Sequence, residues 1–196
     1  MKILSFDCGM NPLAWVLVEI SDDGFVAKDK STYHNIRMLN RALEYFNDMS
    51  SSRMTTQDRV SAVIDYMKRD VQPILEDGMV ILIEQQIAPA ARASACTIPY
   101  DVFVTLCAYF MTKGYVVNVV HSSLKLRLDM GVVICPAQEY ASRYYANKME
   151  ACLKYDYVRE HMGGSEIRDK MAKKDKNHIA DAFMQMMAWY DANVQK

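Results

Sequence analysis

"KNHIADAFMQMM", residues 176–187, decides how the rest of this chain is read. At 3.6 residues per turn it puts Ile179, Phe183, Met186, Met187 and, just beyond, Tyr190 on one apolar face. His178 and Asp181 stand three residues apart at its border. A helix packing on a core needs no acid there, so Asp181 must meet something from elsewhere in the chain. The pattern predicts a final helix from about Lys176 to about Ala192.

Two other acids stand where acids are costly. Asp7 follows the apolar run of "LSFDCG", residues 4–9, and Glu84 ends "VILIEQQ", residues 80–86. A carboxylate after a buried run needs a partner. Taken singly, Asp7 reads as a turn former beside Gly9, and Glu84 as a strand leaving the core. If their strands are parallel neighbours, both acids emerge at one carboxyl edge, where open α/β sheets place their ligands. A helix lying across that edge would add Asp181. Three acids so gathered repel one another and raise one another's pKa values unless a cation joins them.

The elements around these acids fit such a sheet. Lys2–Asp7 and Ala14–Ile20 read as strands of a hairpin, with "SDDG" at 21–24 a turn and a third strand around Phe25–Tyr33. Residues 34–54 are polar and Met-rich and stay unassigned, read as an insertion. Val60, Val63, Ile64, Met67 and Val71 have helical spacing, opened by Thr55 with Asp58 three later and ended by Pro73. A fourth strand ends at Glu84. Ile98, Val102, Leu106 and Tyr109 mark a second helix stopped by Gly114, and "YVVNVV" is a fifth strand. Residues 137–161 predict a long polar helix broken by "GGSE" at 163–166. A meander followed by alternating helices and strands predicts an α/β fold, a mixed five-stranded sheet flanked by helices.

Composition narrows the class. A chain of 196 residues, 51% hydrophobic, is long enough for one domain with a sizeable core, taken as 1–196. No apolar run approaches the roughly 18–20 residues of a membrane span. No signal or transit peptide is seen, and five cysteines (8, 96, 107, 135 and 152) form no CxxC pair, which predicts free thiols in a reducing, intracellular compartment. Net charge is −1, yet residues 122–176 carry 11 Lys/Arg against 8 Asp/Glu. That modest excess lies among Tyr140, Tyr144, Tyr145, Tyr155 and Tyr157, which suits a nucleic-acid face as well as a packed helix.

"FDCG" after a first strand, "LIEQQ" on a fourth and a last helix opening "KKDKNHIADAF" resemble, in order and spacing over nearly the whole chain, the RuvC-type Holliday-junction resolvases of the RNase H-like superfamily. The resemblance is nearest to the poxviral and mitochondrial branch. It implies that Asp7, Glu84 and Asp181 bind metal: Mg²⁺, with Mn²⁺ as the alternative, two ions per site. The family's fourth acid usually stands three residues before the last. Here that place holds His178, with Asp175 three residues earlier, and either completes the set, His178 being slightly preferred because some bacterial members resemble this chain there.

The resemblance further places Lys125, in "HSSLKLRL" (121–128), beside the scissile phosphate. Read by itself, Lys125 is a solvated loop lysine. Arg127, Arg143, Lys148, Lys154, Lys173, Lys174 and Lys176 are the DNA-facing candidates, and a run of charge is as well read as a solvated face. The implied activity is a metal-dependent endonuclease that resolves four-way junctions by paired symmetric nicks. It would act as a homodimer with no organic cofactor, in the cytoplasm or at a viral replication site. The rival readings are another RNase H-like nuclease acting on RNA–DNA hybrids or flaps, a junction-binding module without cleavage, and an actin-like phosphotransferase, which 7 glycines serve poorly.

Overall fold

The structure, a computed structural model, describes residues 1–9, 12–46, 55–86, 97–131, 142–163 and 171–195. The side chains of Thr97, Arg143, Tyr144, Lys173 and Lys174 are outside that description. Five strands form one sheet: β1 (Lys2–Asp7), β2 (Leu13–Ile20), β3 (Ile36–Glu44), β4 (Val80–Glu84) and β5 (Val117–Val120), in the order β3-β2-β1-β4-β5. β1 runs antiparallel to β2 and parallel to β4, and β4 runs parallel to β5. The sheet is therefore mixed, as the hairpin and crossover pattern predicts.

Helices cover both faces. α1 (Thr56–Tyr66) and α2 (Thr97–Thr112) pack on one side, over a core that includes Leu4, Phe6, Trp15, Ile81, Ile83 and Phe110. α4 (Arg143–His161) and α5 (Lys173–Asn193) cover the other, over Ile3, Val16, Leu82, Tyr155 and Phe183. A single turn, α3 (Leu124–Arg127), follows β5 and packs against α5. Thr55 and Asp58 cap α1 reciprocally: the Thr55 hydroxyl accepts from the Asp58 amide at 3.2 Å, and the Asp58 carboxylate accepts from the Thr55 amide at 2.8 Å. Beyond Tyr66 the coil widens and then tightens, and Pro73 lies inside its last 3₁₀ turn, Gln72–Ile74, rather than at a clean stop.

Two expectations are corrected. The third strand is not Phe25–Tyr33; that segment folds into turns and the start of a 3₁₀ helix, Lys30–Asn35, while the sheet edge is β3. Phe25 and Tyr33 are buried all the same, because Phe25 stacks on Tyr190 at 4.4 Å between ring centroids and meets Tyr33 edge-on. Ring packing, not strand pairing, made them apolar. Within the unassigned stretch, residues 36–44 belong to the sheet, whereas 47–54 lie outside the described residues. The long polar helix begins at Arg143, and residues 137–141 also lie outside.

Alternation along the strands positions the site. Ile3, Ser5 and Asp7 point to the α4/α5 side, while Leu4 and Phe6 point to the other. Phe6 pairs with Ile83, so the next residues along the parallel strands, Asp7 and Glu84, leave the sheet side by side. α5 is drawn onto this face by Ile179, Phe183, Met186 and Met187, all fully buried. Its first turns then lie over the carboxyl ends of β1 and β4.

Candidate active site

α5 is fixed to β1 by a buried polar chain as well as by apolar packing. Ser5 Oγ donates to the Ala182 carbonyl at 2.8 Å, and Gln185 Nε2 donates to Ser5 Oγ at 3.2 Å and to the Phe6 carbonyl at 3.3 Å. These bonds lie just after Asp181 along α5 and just before Asp7 along β1. They hold strand end and helix at one separation, because leaving such groups unmet in the core is costly. Nothing in the sequence marked Ser5 or Gln185 for this task.

Five residues meet at the resulting edge. Asp7, Glu84 and Asp181 are each at most 7% exposed. Lys125, carried on α3, sets its ammonium 2.9 Å from Asp181 Oδ1 and 3.5 Å from Glu84 Oε1. On the far side His178 Nδ1 lies 3.1 Å from Asp7 Oδ2. Gly9 makes room for that ring: a Cβ there would stand 3.4 Å from His178 Nδ1 and only 2.6 Å from the Pro12 carbonyl oxygen. A side chain on residue 9 would therefore collide with its own loop and crowd the imidazole.

The electrostatics follow from burial and crowding. Burial, then the neighbouring charge of Asp7, pushes Glu84 up to about 9. Burial also raises Asp181, against the pull of Lys125. Burial acts on Asp7 in the same sense, yet hydrogen bonds from His178 and Glu84 and the charge of Lys125 outweigh it, and its carboxyl lies below its ordinary value. Lys125 is raised, because Asp181, Glu84 and Asp7 together overcome its desolvation. The acids are thus under-neutralised by the chain's own cations. Cys8, next to Asp7, is pushed far up by burial and the two nearest acids, so it stays a thiol and is no nucleophile.

Three carboxylates and an imidazole are hard and borderline donors of the kind that suit Mg²⁺ or Mn²⁺. Among the described residues no three acid, imidazole or thiol side chains are gathered closely enough to hold a metal ion. The cation that Glu84 and Asp181 close upon is the Lys125 ammonium.

The remaining sequence candidates are dispersed. Asp175 does not join the acids; its carboxylate accepts a hydrogen bond from the Tyr45 hydroxyl. Lys148 is near enough for its charge to act on Asp181. Arg127 is exposed on α3. Lys176 pairs with Asp156 of α4. Lys154 is a correction: it is buried, donating to the Leu128 carbonyl at 3.1 Å and pairing with Glu150 at 2.7 Å, so its amine ties α4 to the loop after α3. Tyr155 is fully buried, whereas Tyr145 is 62% exposed. The side chains of Arg143, Lys173 and Lys174 lie outside the described residues, as does Tyr140.

No family model matches the sequence, and no curated protein matches it. Solved structures do. RuvC of Thermus thermophilus is similar over 98% of this chain and 96% of its own, with a TM-score of 0.58 at 12% identity. The yeast mitochondrial Holliday junction resolvase is similar over 98% of this chain and 79% of its own, with a TM-score of 0.63 at 11% identity. The fowlpox virus resolvase, solved with its substrate Holliday junction DNA, gives a TM-score of 0.52 at 14% identity over 98% of each chain. The RNase H-like fold expected from the sequence is therefore the fold of this chain, and its neighbours include a mitochondrial and a poxviral resolvase. Among the described residues no helix is long and apolar enough to cross a membrane.

Proposed function

We propose that this chain is a metal-dependent, structure-selective endonuclease that resolves four-way DNA junctions by paired, symmetric nicks, working inside the cell on replicating or recombining DNA. The convergence of Asp7, Glu84 and Asp181 with Lys125 and His178 carries this reading. Buried acids that repel one another destabilise a fold, and a site that gathers them must gain something else by it. The fold shared with resolvases supports the substrate class.

Asp7, Glu84, Asp181 and His178 would hold Mg²⁺ or Mn²⁺. When bound, such ions activate a water and stabilise the oxygen leaving the phosphorus. The chain supplies the positioning. Nδ1 of His178 lies 3.1 Å from Asp7 Oδ2, which fixes the ring and leaves Nε2 as the nitrogen that would face a ligand or a water. Lys125, with only 15% of its side chain exposed, presents its charge from a desolvated edge where a phosphate oxygen would come, so it acts more strongly than a solvated lysine. Lys148, whose charge reaches Asp181, and the exposed Arg127, two residues after Lys125, would take backbone phosphates, contacts that position DNA without reading its bases.

Paired nicks call for two copies related by a two-fold axis. α2 offers a face suited to such a pairing. Val104 is 43% and Met111 65% exposed, with Ala108 between them, and Val119 of the neighbouring edge strand β5 is half exposed on the same side. Asp101, the acid of this helix, is already paired with Arg59 at 2.7 Å. An uncharged apolar stripe can meet its own copy without setting like charges together.

The test is cleavage of a synthetic four-way junction beside linear duplex and RNA–DNA hybrid, with Mg²⁺, Mn²⁺ or EDTA. Symmetric metal-dependent nicks lost in Asp181→Asn are the expected result. Cleavage of the hybrid alone moves the function to another RNase H-like nuclease, and tight junction binding without cleavage leaves a binding module.

A further inference from the structure

Glu84 and Asp181 can serve one cation at a time. A divalent ion bound by their oxygens would sit at roughly 2.0–2.1 Å from them. The Lys125 ammonium already stands 2.9 Å from one carboxylate and 3.5 Å from the other, using the lone pairs such an ion would need. Ammonium and metal would also repel each other across the same few ångströms in a desolvated edge. Nothing locks the ammonium there permanently. Lys125 has a flexible four-carbon stem. It rides on a helix of one turn, whose N-cap residue Ser123 makes no side-chain capping bond and whose next residue, Leu128, is extended.

We infer that Lys125 is a built-in counter-ion that keeps metal from the site until a DNA phosphate draws its ammonium away. The inference rests on the nuclease reading above and adds regulation to it: metal loading and DNA docking are coupled through one side chain. A phosphate oxygen offers the ammonium an alternative anion of equal kind. Once Lys125 turns to it, Glu84 and Asp181 are left without a cation and their affinity for a divalent ion rises. By linkage the reverse also holds, and bound metal frees Lys125 for DNA by the same factor. Idle protein would then be kept from loading metal and cutting intact duplex at random.

The experiment is a thermodynamic cycle read by calorimetry with Ca²⁺, a hard divalent probe, titrated into the full chain with and without saturating four-way junction. The wild type should bind Ca²⁺ at least fivefold more tightly when the junction is present. Lys125→Met should bind Ca²⁺ without DNA at least tenfold more tightly than the wild type, and the junction should change that affinity less than twofold. Equal affinity of the two proteins for Ca²⁺, or equal tightening by the junction, overturns the gate and leaves the nuclease reading standing. Failure of both proteins to bind any divalent ion, junction present or not, overturns both. Should Lys125→Met not fold, the wild type decides alone. Its Lys125 ε-ammonium, assigned by NMR through its loss in the charge-preserving Lys125→Arg, must shift on Ca²⁺ addition, and an unmoved signal rejects the gate.

Discussion

His178 Nδ1 meets Asp7 Oδ2 at 3.1 Å across 171 residues of sequence, while Asp175, three residues before His178, is turned toward Tyr45. One helical turn separates a residue that joins the acid cluster from one that serves the sheet edge. At the place where an acid is expected, the group that stands beside Asp7 is therefore the imidazole.

His178→Ala should lower junction cleavage by roughly 10–100-fold, the usual cost of losing a group that orients or completes a metal site. His178→Asp should restore cleavage and shift the preference from Mn²⁺ toward Mg²⁺, since carboxylate suits the harder ion. Asp175→Asn should change the rate less than threefold. Initial rates in each metal distinguish these, and a large loss in Asp175→Asn with none in His178→Ala would reverse the assignment.

Glu84→Gln should abolish cleavage yet stabilise the metal-free protein. Glu84 is raised to about 9 from an ordinary 4.5, so the folded state favours its protonated form. The stability this group contributes is complete below the ordinary value and is lost as pH climbs through about 9. The Tm advantage of Glu84→Gln over wild type should therefore grow between pH 6 and pH 9. Thermal melts in EDTA at several pH values read it directly, and a difference independent of pH would reject the assignment.

Gln185→Leu should cost about 1–3 kcal/mol by removing two buried hydrogen bonds, to Ser5 Oγ and the Phe6 carbonyl, beneath the site. Tm should fall by roughly 2–4 °C for each kcal/mol. Because the same bonds set the spacing of Asp7 and Asp181, cleavage at 25 °C should fall too, in protein still fully folded. Urea melts paired with rate measurements separate the two effects.

Met111→Glu combined with Val104→Glu should turn a dimer into a monomer without loss of helical content. Sedimentation shows the assembly, and product analysis should show single unpaired nicks replacing paired ones. A variant that remains dimeric would place the contact elsewhere.

Lys148→Ala and Lys154→Ala should part company. The first should weaken junction binding and reduce the salt slope by about 1, as for one lost phosphate contact. The second should leave the slope unchanged and lower stability, because its buried amine holds Leu128 and Glu150.

Local pattern alone determined the strands that end in Asp7 and Glu84, the capped helix after Thr55 and the amphipathic helix bearing Asp181. Each of these is a short-range matter of periodicity, capping and breakers, written within a dozen or so residues. The same logic failed at Phe25–Tyr33, whose apolar rings serve α4 and α5 rather than a strand. It passed over β3, a polar edge strand of mostly half-buried residues with little alternation to see. Tertiary structure alone decided which of two nearby side chains lies beside Asp7, since Asp175 and His178 stand about one turn apart in sequence and differ in space by their facing partners. It also decided that Lys154 is an anchor, that Ser5 and Gln185 brace the edge bearing the acids, and that Lys125 sits among those acids. A sequence announces which groups carry charge; only the fold sets which charges share a few ångströms of desolvated space, and on that distance their interaction depends.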